Sequence, residues 1–264
     1  MQLPDARPGG NVSRLLVGAS ARINYEWALR RPGKPPFLIV TEFPRSGGNW
    51  IRDMLGDALQ MPVPRYSRLP VTFRSIVHNH DHRPTSHPTV YVIRDGRDVF
   101  LSHFHKTVAT WNVAPPSLKR RIAKFHPSII EIKDQDNPSE NEWLLFYDEW
   151  KNRPLGSKVS WRQHVLNFVE NTPSRTVIVR YEDMIRNPHG TIHAVTKQIL
   201  ARPIEADLIQ FAVERNRFER QTGRKTGTVD NHATKRRGIA GAWRDEMPKY
   251  VLKKFEHDHK YVLP

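Results

Sequence analysis

The apolar residues of this chain fall in short, dense runs separated by turn residues. Phe37-Leu38-Ile39-Val40 follows Pro36, Val90-Tyr91-Val92-Ile93 precedes Arg94-Asp95-Gly96, and Thr176–Val179 is a third run of the same kind. Such runs read as strands buried on both faces. Between them the period changes. Apolar side chains at 50, 51, 54, 55, 58 and 59 form one helical stripe, residues 99–104 sit on a helix after a glycine turn, and 187–200 reads as a third helix. Strand–loop–helix units joined by long crossovers predict an α/β fold, a central parallel sheet flanked by helices on both faces. Residues 1–35, rich in Pro and Arg, read as an irregular arm with one short helix near Ile23–Leu29. A single domain then spans 36–264, with the Pro- and charge-rich stretch 112–142 read as a mobile lid.

Composition narrows the function classes. With 264 residues there is ample chain for a buried core, and Pro 21, Gly 14 and 38% hydrophobic residues exclude collagen-like and wholly disordered chains. Cysteine is absent, which removes disulfides, thiolate metal sites and cysteine nucleophiles. No apolar stretch nears the roughly 20 residues of a membrane helix. Leu15–Ala19 is too short for a signal-peptide core of at least about 7 residues, so a cytoplasmic protein without a membrane span is expected.

Charge changes the picture more. Lys+Arg is 42 against 27 for Asp+Glu, a formal balance of +15. Solubility alone accounts for such an excess, and an anionic ligand is the sharper reading. From Glu214 to Arg244 nine basic residues face three acidic ones, with Gly223, Gly227, Gly238 and Gly241 among them. That composition suits a loop wrapped around an anion.

Two loops carry candidate chemistry. Phe43-Pro44-Arg45-Ser46-Gly47-Gly48-Asn49-Trp50 joins the first strand to its helix, where glycines turn backbone N–H groups inward and a helix N-terminus adds positive potential. This is a phosphate cradle without the Walker A spacing, and a plain Gly-rich turn is the competing reading when the loop is taken alone. At the end of the second strand Arg94 is followed eight residues later by Ser102, so both can reach one phosphate. A surface Arg–Asp pair is the bland alternative there.

Taken together the segments resemble the PAPS-dependent sulfotransferases, which move a sulfuryl group from 3′-phosphoadenosine 5′-phosphosulfate to an acceptor. Pro44–Trp50 looks like the family's 5′-phosphosulfate loop, and Arg94-Asp95-Gly96-Arg97-Asp98-Val99-Phe100-Leu101-Ser102 like its 3′-phosphate motif. Tyr181-Glu182-Asp183-Met184 with Pro188, Gly156…Trp161…His164-Val165, and Arg236-Arg237-Gly238 with Gly241 and Trp243 match further segments in the family's order.

The resemblance implies a P-loop-NTPase-like fold and PAPS as sulfuryl donor, with no metal. It implies that Arg45, Ser46, Gly47, Gly48 and Asn49 hold the 5′-phosphosulfate, and that Arg94, Ser102, Arg236, Arg237 and Gly238 hold the 3′-phosphate. Trp50, Tyr181 and Phe218 would line the adenine. The family's Lys-Thr-His segment falls on His78-Asn79-His80, making His80 the expected base, with His78 and His82 as alternatives. Arg45 stands where many members have Lys; it can stabilise leaving-group charge but cannot act as an acid near neutrality. The histidines at 78, 80, 82 and 87 also raise a metal-cluster reading, which the family reaction does not require.

The implied reaction is in-line transfer to an acceptor hydroxyl or amine with release of adenosine 3′,5′-bisphosphate. The acceptor is a small molecule or glycan, held by loops near 60–80, 105–150 and 220–235, and no specific nucleic acid is expected. A kinase would want a P-loop Lys and a Mg²⁺ pair. A nucleic-acid-binding module would show steep salt dependence with no preference for PAPS.

Overall fold

In a computed structural model the fold is described for residues 11–30, 37–64, 73–132, 138–200, 203–231, 233 and 235–262. Parts of the expected arm (1–10 and 31–35), positions 65–72, 232 and 234 of the expected acceptor loops and 133–137 of the expected lid lie outside the described residues.

Four strands form one parallel sheet: β1 (Phe37–Glu42), β2 (Ser75–Asn79), β3 (Thr89–Ile93) and β4 (Thr176–Arg180), in the order β2-β1-β3-β4. All six residues of β1 are buried, as a strand covered on both faces requires. Alternation divides their side chains between two layers. Leu38, Val40, Val90, Val92 and Val177 pack with Ile51, Met54 and Leu55 of α2 (Gly48–Ala58) on one face. Behind the other face, Tyr91 stacks on Phe168 of α6 (Trp161–Val169) at 4.0 Å. A cluster around Phe100, Phe104, Trp150 and Phe255 joins α3 (Gly96–Val113), α5 (Glu140–Asn152) and α12 (Lys249–His259). The expected three-layer α/β architecture is present.

Differences from the expectation have local causes. The arm's helix, α1 (Asn11–Arg30), is 20 residues long rather than a short helix near Ile23–Leu29. No proline falls between Pro8 and Pro32, so nothing interrupts it. Its Tyr25 packs with Phe37, Ile39 and Val77. The strand β2 was not foreseen, because only Ile76 and Val77 are apolar in it and it sits at the sheet's edge. Within 112–142 lie α4 (Pro116–Phe125), a 3₁₀ turn over Pro127–Ile130 and the start of α5, anchored by buried Ile122 and Ile129. After β4 come α7 (Tyr181–Arg186), α8 (Pro188–Leu200), α9 (Ala206–Arg215), α10 (Phe218–Thr222) and α11 (Trp243–Glu246). Among the described residues no helix is long and apolar enough to cross a membrane.

Two core histidines make this packing pH-sensitive. His259 is enclosed by Trp150, Trp161 and Phe255, and His164 Nδ1 lies 3.0 Å from the Tyr91 hydroxyl. Burial pushes each imidazole down to about 4. The unfolded rings titrate near 6.5, so between those values the unfolded chain binds more protons. The stability these neutral rings allow is therefore complete above about pH 6.5 and is lost as pH falls through about 4. Urea unfolding across that window should show a shallower loss for His259→Phe, which keeps the packing and removes the titration. An unchanged slope in that variant would contradict the assignment.

Candidate active site

The site lies where the chain changes direction across the sheet. It leaves β1 to pair β2 on one side and returns to pair β3 on the other, so the loops after β1 and β3 diverge and open a crevice at the carboxyl ends of the strands. The loop after β1 enters α2 through Gly47, which holds φ 102° with Tyr181 packed on its Cα. A side chain at Gly47 would strike that ring. Arg45 also holds a positive φ of 79°, a strained setting for a residue with a Cβ, and this turns its side chain toward α3. There Arg45 Nε donates to Ser102 Oγ at 3.1 Å. Arg94, from the end of β3, donates to the Arg45 carbonyl at 3.2 Å, faces Asp98 at 3.5 Å and lies 4.2 Å over the Tyr181 ring. Burial, reinforced by the Arg94 charge, lowers the Arg45 guanidinium to about 10, so it stays a cation at neutral pH. Among the described residues, Ser46 Oγ and Arg94 Nε are buried with no hydrogen-bond partner.

The third wall comes from the basic segment near the C-terminus. Asp98, buried on α3, accepts from the backbone N–H of Gly241 at 2.7 Å and of Trp243 at 3.1 Å, which docks this segment beside Arg94. Arg94 also reaches the Ile239 carbonyl at 3.4 Å. Gly238, at φ 68°, comes so close to Phe218 that a Cβ would overlap the ring. Arg236 and Arg237 both bond Glu246, each at 2.7 Å, and His105 lies 3.4 Å from the same carboxylate. Burial would raise the Glu246 carboxyl, but these partners outweigh it and hold the group at about 2. Trp50 donates its indole N–H to the Asn216 carbonyl at 2.9 Å and meets Tyr181 edge-on at 6.1 Å, so two of the three aromatic residues expected around an adenine stand side by side. The Asn49 side chain accepts from Arg52 at 2.6 Å.

The histidines separate into distinct settings. His78 Nε2 lies 3.0 Å from both oxygens of Glu42, and the His80 and His78 rings meet at right angles 5.2 Å apart. His80 Nδ1 is 3.2 Å from the Glu42 carbonyl and 3.4 Å from its carboxylate. Burial of its inner edge lowers the His80 pKa, and the Glu42 charge partly restores it, while 38% of the side chain stays exposed. His82 turns to Asp81 at 3.9 Å, and His87 is buried against Phe37. Glu42, 2% exposed, was not foreseen from the sequence, and neither were Arg52, Asp98 and Glu246. Burial works against ionisation of Glu42, but His78 and His80 prevail and keep it below the usual carboxylate range. Ligating atoms of Glu42, His78 and His80 lie within 4.8 Å of one another, a set with the composition of a metal site. Arg52 Nη1, 3.4 Å from His78 Nδ1, sets a fixed cation beside it.

A parallel sheet thus carries a Gly-rich loop at its switch point, with cations from three distant segments beside it. The chain belongs to the sulfotransferase family: the sulfotransferase domain profile matches residues 85–263, and the enzyme is a PAPS-dependent sulfotransferase. It is 22% identical to dog (Canis lupus familiaris) sulfotransferase 1A1 over 275 aligned positions, covering 86% of this chain and 83% of the relative. Mouse sulfotransferase SULT7A1 complexed with PAP has a similar fold, with a TM-score of 0.60 at 14% identity over 90% of this chain and 89% of that one. A retinol dehydratase in complex with androsterone and inactive cofactor PAP gives 0.58 at 16% identity, covering 98% and 96%.

Gly48 provides a test of this geometry. A Cβ there would lie 1.7 Å from Glu42 Oε2, although the position is an ordinary first helical residue. Gly48→Ala should therefore cost about 1–3 kcal/mol through overpacking. Adding Glu42→Ala should recover part of that loss, because the two residues collide. Denaturant titrations of the two single variants and the double variant decide this, and strict additivity would show that the carboxylate does not rest on Gly48.

Proposed function

We propose that this chain transfers the sulfuryl group of PAPS in line to an acceptor hydroxyl or amine, with His80 as general base, and releases adenosine 3′,5′-bisphosphate. The observation that carries the reading is the meeting of Arg45 and Arg94, from the loops after β1 and β3, with Ser102 of α3. In this reading Ser46, Gly47, Gly48 and Asn49 present donors to the 5′-phosphosulfate at the start of α2. Arg94, Ser102, Arg236, Arg237 and Gly238 take the 3′-phosphate, the two C-terminal arginines exchanging part of their contact with Glu246 for it. Trp50, Tyr181 and Phe218 bound the adenine. The PAP complexes of SULT7A1 and retinol dehydratase support this use of the fold, and androsterone in the latter supports a small-molecule acceptor over a glycan.

The acceptor oxygen forms its bond to sulfur as the bond from sulfur to the bridging phosphate oxygen breaks, the electron pair remaining on that oxygen. The acceptor proton passes to His80. Arg45, a cation at working pH, offsets the charge that grows on the bridge.

Turnover of labelled PAPS with an alkyl alcohol, read by mass spectrometry, tests both assignments. His80→Ala should lower kcat by about 10²–10⁴-fold and leave adenosine 3′,5′-bisphosphate binding intact. Arg94→Ala should instead raise the KM for PAPS, because a charge-assisted partner of a phosphate worth about 1.5–3 kcal/mol is lost. Near-normal turnover in His80→Ala would remove the histidine base. An unchanged KM in Arg94→Ala would remove the 3′-phosphate assignment.

A further inference from the structure

We propose that Glu42 is a positioning residue for His80, fixing the tautomer that leaves the lone pair on Nε2, while His78 and Arg52 hold the carboxylate in place. This inference rests on the reading of His80 as base and adds to it a buried group that the sequence motifs do not contain.

The argument starts from the cost of a buried carboxylate. Glu42 sits at the end of β1 with 2% exposure, a setting an anion keeps only when donors surround it. Carboxylates accept, so the His78 Nε2 that lies 3.0 Å from both oxygens must carry the hydrogen. A neutral imidazole has one N–H, which leaves the His78 lone pair on Nδ1, and Nδ1 faces the Arg52 Nη1 donor at 3.4 Å. Arg52 is itself fixed: it is 2% exposed and bonded to Asp53 at 2.6 Å and Asn49 at 2.6 Å. His78 therefore has its N–H and its lone pair both engaged and is not placed to take a proton from an acceptor.

His80 is placed differently. Its Nδ1 faces two acceptors of one residue, the Glu42 carbonyl at 3.2 Å and the carboxylate at 3.4 Å. Nδ1 must then be the N–H, and Nε2 carries the lone pair. When the ring takes a proton it becomes a cation against a fixed anion, as an orienting carboxylate provides for a catalytic histidine. Gly48 completes the clamp from below, since the absence of a side chain there is what lets the carboxylate lie at the mouth of α2. The same arrangement weighs against a resident cation on Glu42, His78 and His80. His78 would have to offer Nε2 to the metal while Nδ1 still served Arg52, which takes two lone pairs on one neutral ring.

The test is Glu42→Gln in the full chain, with kcat, KM and the pH profile measured beside His80→Ala. Glutamine keeps the size and removes the charge. Turnover should fall between about 10²- and 10⁴-fold, the KM for PAPS should stay within about twofold, and the acidic limb of kcat/KM should move to lower pH, because the anion no longer supports the imidazolium. Glu42→Asp should recover part of the turnover and most of the limb's position. A merely structural role would not move that limb in this direction.

If His80→Ala is inactive while Glu42→Gln keeps wild-type kcat and an unmoved limb, the positioning role is wrong and the base survives. If both variants turn over normally, the base reading fails and takes this inference with it. An inactive Glu42→Gln beside an active His80→Ala would make Glu42 itself the base and overturn the proposal. Should Glu42→Gln not fold, nitrogen NMR of the wild-type His80 ring decides: protonated Nδ1 supports the clamp, and protonated Nε2 in the neutral ring overturns it.

Discussion

Everything at this site depends on β1 pairing in parallel with both β2 and β3. That pairing makes β1 the point where the chain reverses its progress across the sheet, and it sets the ends of three strands side by side. The register places Thr41 opposite Asn79 on one side and Glu42 opposite Val92 on the other. The residues that follow each strand, Arg45, His80 and Arg94, therefore emerge at one level. A one-residue slip of β2 would turn His78 away from Glu42 and face it to the opposite layer.

The site gathers positive charge, and acidic neighbours offset much of it. Arg52 is matched by Asp53, Arg94 by Asp98, and the Arg236–Arg237 pair by Glu246. Burial, reinforced by the nearby Arg94 charge, lowers the proton affinity of Arg45. In the proposed reading the excess of +15 over the whole chain draws anionic ligands toward the protein, and the fixed positions of Arg45, Arg94 and Ser102 select among them.

What was legible in the sequence was whatever short-range pattern encodes. The buried strands β1, β3 and β4, the stripe of α2 and the Arg94–Ser102 spacing all lie within windows of about ten residues, where period and turn chemistry speak directly. Glu42 was illegible for the opposite reason. As a lone carboxylate at the end of an apolar run it looks like a strand terminator, and its function appears only when β2 brings His78 and His80 against it from 36 and 38 residues away. Asp98 and Glu246 are similar cases. Asp98 reads as a first-turn helix acid, yet it accepts from backbone more than 140 residues downstream. The strand β2 hid behind its two apolar residues, since an edge strand needs less apolar cover than a central one.

A crystal structure with adenosine 3′,5′-bisphosphate tests the central claim most directly, that one crevice at the β1–β3 switch point is built for a doubly phosphorylated nucleotide. The 5′-phosphate should sit on the backbone N–H groups at the start of α2, and the 3′-phosphate should lie between Arg94 and Ser102, breaking the contact of Ser102 with Arg45. The nucleotide bound elsewhere, or bound with the 3′-phosphate in solvent while Arg45 still holds Ser102, would contradict the account.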